Sequence, residues 1–440
     1  MAKVQLDSQE TKIMELANWK CLLILLVFFL GYTAIILEYY IKVHKSAIAL
    51  LMAVVCWALY LSCSLAPASE ELKVLSHHVS DVSQIIFFLM GAMALVELID
   101  SHRGFKIISE RIKTKSARKI LWITVGFTFF LSAVLDNLTT TILMISLLRK
   151  LIPQRSDRFL FGCMVVIAAN AGGAWTPIGD VTTTMLWING QLSTTGVMKT
   201  LFLPSLISIL IPLVWYTLRM KGKIPAQPKS ELTAEALPGA KLVFWLGIGG
   251  LICVPIFKAL TGLPPFMGMI LALSVIWLVT DLMHYPHKER EALRIPHVLT
   301  RIDTSGVLFF LGILLCVNAL QAAGFLQILA NWLEEVFKSQ AMIATLIGFF
   351  SALIDNVPIV AATMGMYPLE AYPIDSPFWH MIAYAAGTGG SMLIIGSAAG
   401  VAMMGMEKVD FISYAKKATV PVAIGYLGGM GVYLLITSIF

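Results

Sequence analysis

Four carboxylates, Glu97, Asp136, Asp180 and Asp355, stand deep within apolar stretches of the sequence. An ionised carboxylate at the centre of a membrane helix costs about 2.5–3.5 kcal/mol on insertion scales. Each must therefore be protonated, hydrogen-bonded or matched by a cation. Lysine and arginine are the usual partners, yet all 32 basic residues fall in loops or near segment ends, Lys258 being the nearest to an exception. Two of the acids belong to repeated Asp-Asn pairs, Asp136-Asn137 and Asp355-Asn356, and Thr139, Thr140 and Thr141 follow the first. Carboxylate, amide and hydroxyl oxygens are the ligands that a hard cation such as sodium takes. The residues expected to hold sodium are Asp136, Asn137, Asp355 and Asn356, with Thr139 beside them. A single membrane aspartate can equally be protonated or cap a helix, and single membrane threonines often bond to their own backbone or to a neighbouring helix. Neither reading explains why the pair occurs twice.

The stretch Asn170-Ala-Gly-Gly-Ala-Trp-Thr-Pro-Ile-Gly-Asp180 interrupts an apolar segment. Gly172, Gly173, Pro177 and Gly179 break a helix, and irregular backbone at membrane depth is tolerated only where it lines a cavity or is buried in protein. Its freed carbonyls can coordinate a cation. Thr176, Asp180, Thr182 and Thr183 add further oxygens. A matching break follows the second Asp-Asn pair, with Gly389, Gly390 and Gly396 as its helix breakers and Thr388, Ser391 and Ser397 as its oxygens. Close packing of glycines would account for either break alone, but not for both following an Asp-Asn pair. Glu97 has no acidic counterpart in the second half, where Asn318 is the nearby polar residue; it is either a proton relay or a carboxylate at the cytoplasmic end of its helix beside Asp100.

The elements that must position these groups follow from composition. Of 440 residues, 58% are hydrophobic and 13% charged, with a mean hydropathy of +0.82. Soluble domains carry about 25% charged residues, so a soluble enzyme, a disordered chain and a nucleic-acid binder are excluded. The net charge of +6 belongs to loops beside anionic lipid. The six cysteines and eight histidines show no disulfide or zinc spacing, and no resident cofactor is expected. The N-terminal residues, mixed in charge, do not read as a signal peptide, and the run Cys21–Leu37 reads as a first transmembrane helix.

Apolar segments fall at 21–37, 47–64, 82–99, 120–151, 159–189, 200–218, 242–258, 266–283, 305–320, 340–366, 378–405 and 419–439. Seven Lys/Arg lie in 100–119 and four in 149–158, which places both stretches in the cytoplasm. The segment between them enters and leaves on one side, as a hairpin with Asp136-Asn137 at its middle. Residues 321–339 hold one basic residue and 367–377 none, so 340–366 reads as a hairpin from the outside, with Asp355-Asn356 at its middle. The two halves also align: Ser132–Asn137 with Ser351–Asn356, Gly172-Gly173 and Gly179 with Gly389-Gly390 and Gly396, and Phe87–Leu89 and Gly104-Phe105 with Phe309–Leu311 and Gly324-Phe325. The expected fold is an all-α polytopic membrane protein forming a single membrane domain over 1–440. It is built as an inverted-topology repeat, 82–218 and 305–440, with two re-entrant hairpins and two broken transmembrane helices, the plan of a secondary transporter.

At Ser132–Thr141, Asn170–Thr184, Ser351–Thr363 and Gly387–Gly400 the sequence resembles the NhaD sodium/proton antiporters of the ion transporter superfamily, over roughly residues 80–440. The Gly-Gly-x-x-Thr-Pro-Ile-Gly break also resembles the anion/sodium symporters and arsenite carriers of that superfamily. The second Asp-Asn pair and the run Asp180-Val-Thr-Thr favour NhaD. The resemblance implies scaffold and transport domains, a homodimer, a prokaryotic inner membrane, and export of sodium or lithium against proton entry. It implies importance for Glu97, Asp136, Asn137, Asn170, Asp180, Thr182, Thr183, Ser351, Asn356 and Ser391. Ser132 stands where some relatives are acidic, which bears on proton stoichiometry. Burial raises a carboxylate's proton affinity and a bound cation lowers it again, so proton and sodium would compete for one site. Sodium-coupled symport of a small carboxylate is the nearest alternative. An aspartyl protease dyad would leave the Asn residues, the breaks and the repeat without purpose, and a channel would not need the repeat.

Overall fold

The computed structural model describes residues 19–64, 66–104, 116–152, 154–220, 237, 239–285, 288–409 and 411–439. The N-terminal residues 1–18, Phe105 with most of the basic stretch 100–119, and most of the loop 219–241 lie outside them. Among the described residues every regular element is helical. The main helices in chain order are α1 (Trp19–Ile36), α2 (Lys45–Cys63), α3 (Ala68–Ser101), α4 (Ala117–Ser132), α5 (Asn137–Leu151), α6 (Arg155–Ala174), α7 (Val181–Ile188), α8 (Thr194–Arg219) and α9 (Ala240–Thr261). They continue as α10 (Pro265–His284), α11 (Thr304–Ala322), α12 (Phe325–Phe337), α13 (Gln340–Ser351), α14 (Asn356–Met366), α15 (Pro377–Gly389), α16 (Ala398–Glu407) and α17 (Phe411–Ile439). Seven of these are long and apolar enough to cross a membrane. The chain is a polytopic integral membrane protein.

The chain divides into two compact units. The first holds α1, α2, the opening half of α3, α11, α12 and the end of α14. Here α2 and α11 pack closely: Gly312 lies against the Ala49 backbone, Trp57 Nε1 donates to Leu315 O at 2.8 Å and Ser46 Oγ to Ser305 O at 2.6 Å. Two elements depart from the sequence expectation. The helix expected over 82–99 begins at Ala68, with Glu70 and Glu71 in its first turn, where acidic side chains suit the helix dipole; its polar opening hid it from a hydropathy reading. The stretch 321–339, expected as a loop, contains α12. Leu326 and Ala330 of α12 are buried, while Ile328, Leu329, Trp332 and Val336 form an exposed apolar stripe, the pattern of a helix at a membrane interface.

The second unit holds the remainder. At its centre α6 is buried continuously from residue 161 and α15 from residue 378, each to its C-terminus, as expected of helices that are apolar on all sides. Pro212 inside α8 frees the Ser208 carbonyl, and Gly425 of α17 packs against it. Each of the four long segments around the candidate residues is interrupted: α4 from α5, α6 from α7, α13 from α14 and α15 from α16.

Candidate functional site

The breaks are made by backbone contacts that leave no room for side chains. A Cβ at Gly172 would meet Phe129 O, and one at Gly389 would meet Gly348 O. Polar side chains pin the same places: Ser132 Oγ donates to Ala169 O at 2.6 Å, Ser351 Oγ to Ala386 O at 3.0 Å and Thr176 Oγ1 to Ala133 O at 2.7 Å. Thr388 Oγ1 donates to Tyr384 O at 2.5 Å, within its own helix.

Each interruption leaves a helix N-terminus whose first N–H groups need acceptors. Asp136 caps α5, accepting from Thr139 N at 2.8 Å and Thr139 Oγ1 at 2.7 Å. Asp180 caps α7, accepting from Thr182 N at 3.2 Å. Ser397 caps α16, accepting from Gly400 N at 3.2 Å. Asp355 accepts from Val357 N, in the first turn of α14, at 3.3 Å.

Buried amides join these caps. Asn137 Nδ2 donates to Asn170 Oδ1 at 3.0 Å, and Asn170 Nδ2 reaches both Ser391 Oγ and Ser397 Oγ at 2.8 Å. Asn356 Nδ2 lies 3.4 Å from Asp180 Oδ2. Asp136 and Asp355 are both within electrostatic reach of Asp180. Asp180 is 1% exposed, whereas Asp136 and Asp355 are partly exposed. The hydroxyls of Thr140, Thr141 and Thr183 are buried with no hydrogen-bond partner among the described residues, so their lone pairs are uncommitted. Gly387 faces Asp180: a Cβ there would stand 3.5 Å from Asp180 Oδ2.

Glu97 lies apart in character. It lies one turn before the end of α3, where Ser101 Oγ is 3.5 Å from its carboxylate and Asp100 and Arg301 are its charged neighbours. That is the helix-end setting, one of the two readings open from sequence. A carboxylate that sequence reasoning missed is Glu407, 3% exposed at the end of α16, paired with Arg149 at 2.8 Å and Arg158 at 3.0 Å. An acidic residue at a helix C-terminus opposes the dipole and so signals an external partner; that signal was available. The buried contact of His102 Nε2 with His284 Nε2 at 2.9 Å joins residues 182 positions apart and had none.

Interrupted membrane helices whose capped ends meet over a buried carboxylate define a secondary transporter. A family profile described as citrate transporter, CitMHS, matches residues 32–381. Sodium/proton antiporter 1 of Arabidopsis thaliana is 54% identical over 419 residues, covering 94% of this chain and 72% of that protein. Sodium/proton antiporter 2 of the same plant is 52% identical, over 93% and 98% of the two chains. The Na(+)/H(+) antiporter NhaD of Vibrio cholerae is 30% identical, over 94% and 91%. The chain belongs to the citrate transporter family, among its NhaD-type sodium/proton antiporters. It is a transporter and not an enzyme.

Proposed function

We propose that the chain exchanges cytoplasmic sodium or lithium for external protons, cation and proton competing for Asp180 together with Asp136 and Asp355. The observation that carries this is Asp180 itself: buried, facing Asn356 and within electrostatic reach of two further carboxylates, with no lysine or arginine among its described partners. Asn137, Asn170, Ser391 and Ser397 supply neutral oxygens on the adjoining side, and Thr183, Thr140 and Thr141 have lone pairs to give. A cation entering this site displaces the proton that otherwise neutralises the carboxylate. Exchange follows if the protein reorients only with one or the other bound.

The sign of the site separates this reading from carboxylate symport. Bare helix N-termini are positive and suit anions. In this chain aspartates accept N–H groups at three of them, Asp136, Asp180 and Asp355, which reverses the local charge. One architecture can thus serve a family described by citrate and relatives named for sodium and protons.

The inverted-topology repeat, with α4–α5 and α13–α14 as its re-entrant hairpins, is part of this proposal. It is supported by the matched contacts: Gly172 on Phe129 and Gly389 on Gly348, Ser132 on Ala169 and Ser351 on Ala386, Asp180 and Ser397 as equivalent caps. Reorientation would exchange the conformations of the two halves. A homodimer rests on the family resemblance. The two plant relatives are more similar to the chain than the Vibrio one, so the prokaryotic membrane expected from sequence is not part of the proposal.

The test is an inside-out vesicle with an acid interior. Sodium or lithium should alkalinise it, and labelled citrate or succinate should not accumulate with sodium. Anion uptake without any response to either cation would overturn the antiporter reading.

A further inference from the structure

Lys258 sits in the last turn of α9, a helix long and apolar enough to span the membrane. Lysines near the ends of such helices ordinarily turn their ammonium groups toward the interface. Lys258 instead donates from Nζ to Trp187 O at 2.9 Å, and Nζ stands 4.4 Å from the centroid of the Trp187 ring. No ion pair among the described residues includes it. Both contacts fall on one residue, fully buried, at the penultimate position of α7.

The other end of α7 is the Asp180 cap. Eight residues make about 12 Å of helix, too short to be stable alone, so the position of Asp180 depends on what fixes the far end. The last carbonyls of a helix lack partners and carry the negative end of its dipole. In α7 the backbone N–H groups of Asn189, Gly190 and Gln191 already reach the carbonyls of Met185, Trp187 and Leu186; the ammonium group adds a charged donor at the negative end of the dipole, and its contact with the indole face adds a cation–π attraction.

The same device closes two other half-helices that open at the site. Arg158 Nη1 donates to Ile152 O, the residue after α5, at 2.8 Å. Arg155 Nη2 donates to Lys408 O, the residue after α16, at 2.5 Å, and Arg149 Nη2 donates to Met406 O. Those cationic caps come from α5 and α6, which themselves reach the site. Among the described residues α7 takes its cationic cap from α9, and not from a helix that reaches the site.

We propose that Lys258 is a positioning residue of the cation site. It holds α7 from its C-terminal end and so keeps Asp180 in place against Asn356. This rests on the reading of Asp180 as a cation-binding carboxylate, and the experiment separates the two.

The full-length protein would be prepared as wild type, Lys258→Met, Lys258→Gln, Lys258→Arg and Asp180→Asn. Two quantities would be measured: apparent KM and Vmax for sodium in inside-out vesicles, and the sodium-dependent rise in unfolding temperature of purified protein. Lys258→Met should raise KM by about tenfold, the scale of a small misplacement of a binding group, and leave Vmax within about threefold. Its sodium-dependent stabilisation should shrink in parallel. Lys258→Arg keeps charge, donor and ring contact and should restore KM to within about threefold of wild type. If Lys258→Met does not accumulate in the membrane, Lys258→Gln, which keeps a donor but no charge, carries the same comparison. Wild-type KM and sodium stabilisation in the neutral variant would overturn the proposal. So would an arginine variant no better than methionine, or a loss confined to Vmax. Wild-type exchange in Asp180→Asn would instead overturn the reading of the site itself.

Discussion

Asp136 and Asp180 each do two jobs that a single substitution can separate. As N-caps they accept backbone N–H groups, and asparagine caps a helix about as well as aspartate, so Asp→Asn should change stability by less than about 1 kcal/mol. As cation ligands they need a charge that titrates, which an amide lacks. Asp136→Asn and Asp180→Asn should therefore reach the membrane at wild-type yield and lose exchange by about tenfold or more, given the cost of leaving a cation unmatched in the membrane. Exchange at the wild-type rate and pH dependence in both would show that the carboxylates serve only as caps. Asn137→Ala removes an amide but no titrating group and should weaken apparent sodium affinity while exchange persists. The Asp-Asn pairs were legible because chemistry and spacing coincide within a few residues. Asn170 could not be seen as the junction between the breaks, because its partners Ser391 and Ser397 lie 221 and 227 positions away. Glu407 at its helix end signalled a cationic partner but not which one, since its arginines lie 249 and 258 positions away.

At the scale of elements, the broken helices depend on backbone lying directly on backbone. Gly389→Ala would drive a methyl group into the Gly348 carbonyl. Main chain cannot step aside as a flexible side chain can, so the cost should reach roughly 3 kcal/mol, the upper range for overpacking. The expected outcome is a lowered unfolding temperature and reduced membrane yield; Gly405→Ala, with open space around it, is the control. Equal yields and stabilities would show that the break tolerates a side chain and is not set by this contact. Most long helices were readable because twenty apolar residues leave a hydropathy signal of their own. α12 was not, since its thirteen residues interleave Gln327, Asn331, Glu334 and Glu335 with the apolar stripe. Only the helical period, not the average hydropathy, would have revealed it.

At the scale of the whole molecule, the distribution of Lys and Arg sets orientation. Eleven flank the first hairpin, seven in 100–119 and four in 149–158, against one around the second. Single cysteines at Gln154 and Ser376, in a background lacking the six native ones, should react with an impermeant thiol reagent from opposite sides of the membrane. Reaction from the same side would contradict opposed halves. The central claim, that sodium and proton compete for one carboxylate site, has a direct measurement in purified protein. Sodium chloride would be added to the wild type in weakly buffered detergent solution and the released protons counted, with Asp180→Asn alongside. The account predicts proton release that saturates with sodium, grows smaller as the starting pH is raised far enough to empty the site, and is largely lost in Asp180→Asn. Sodium binding without proton release, or equal release from both proteins, would contradict it.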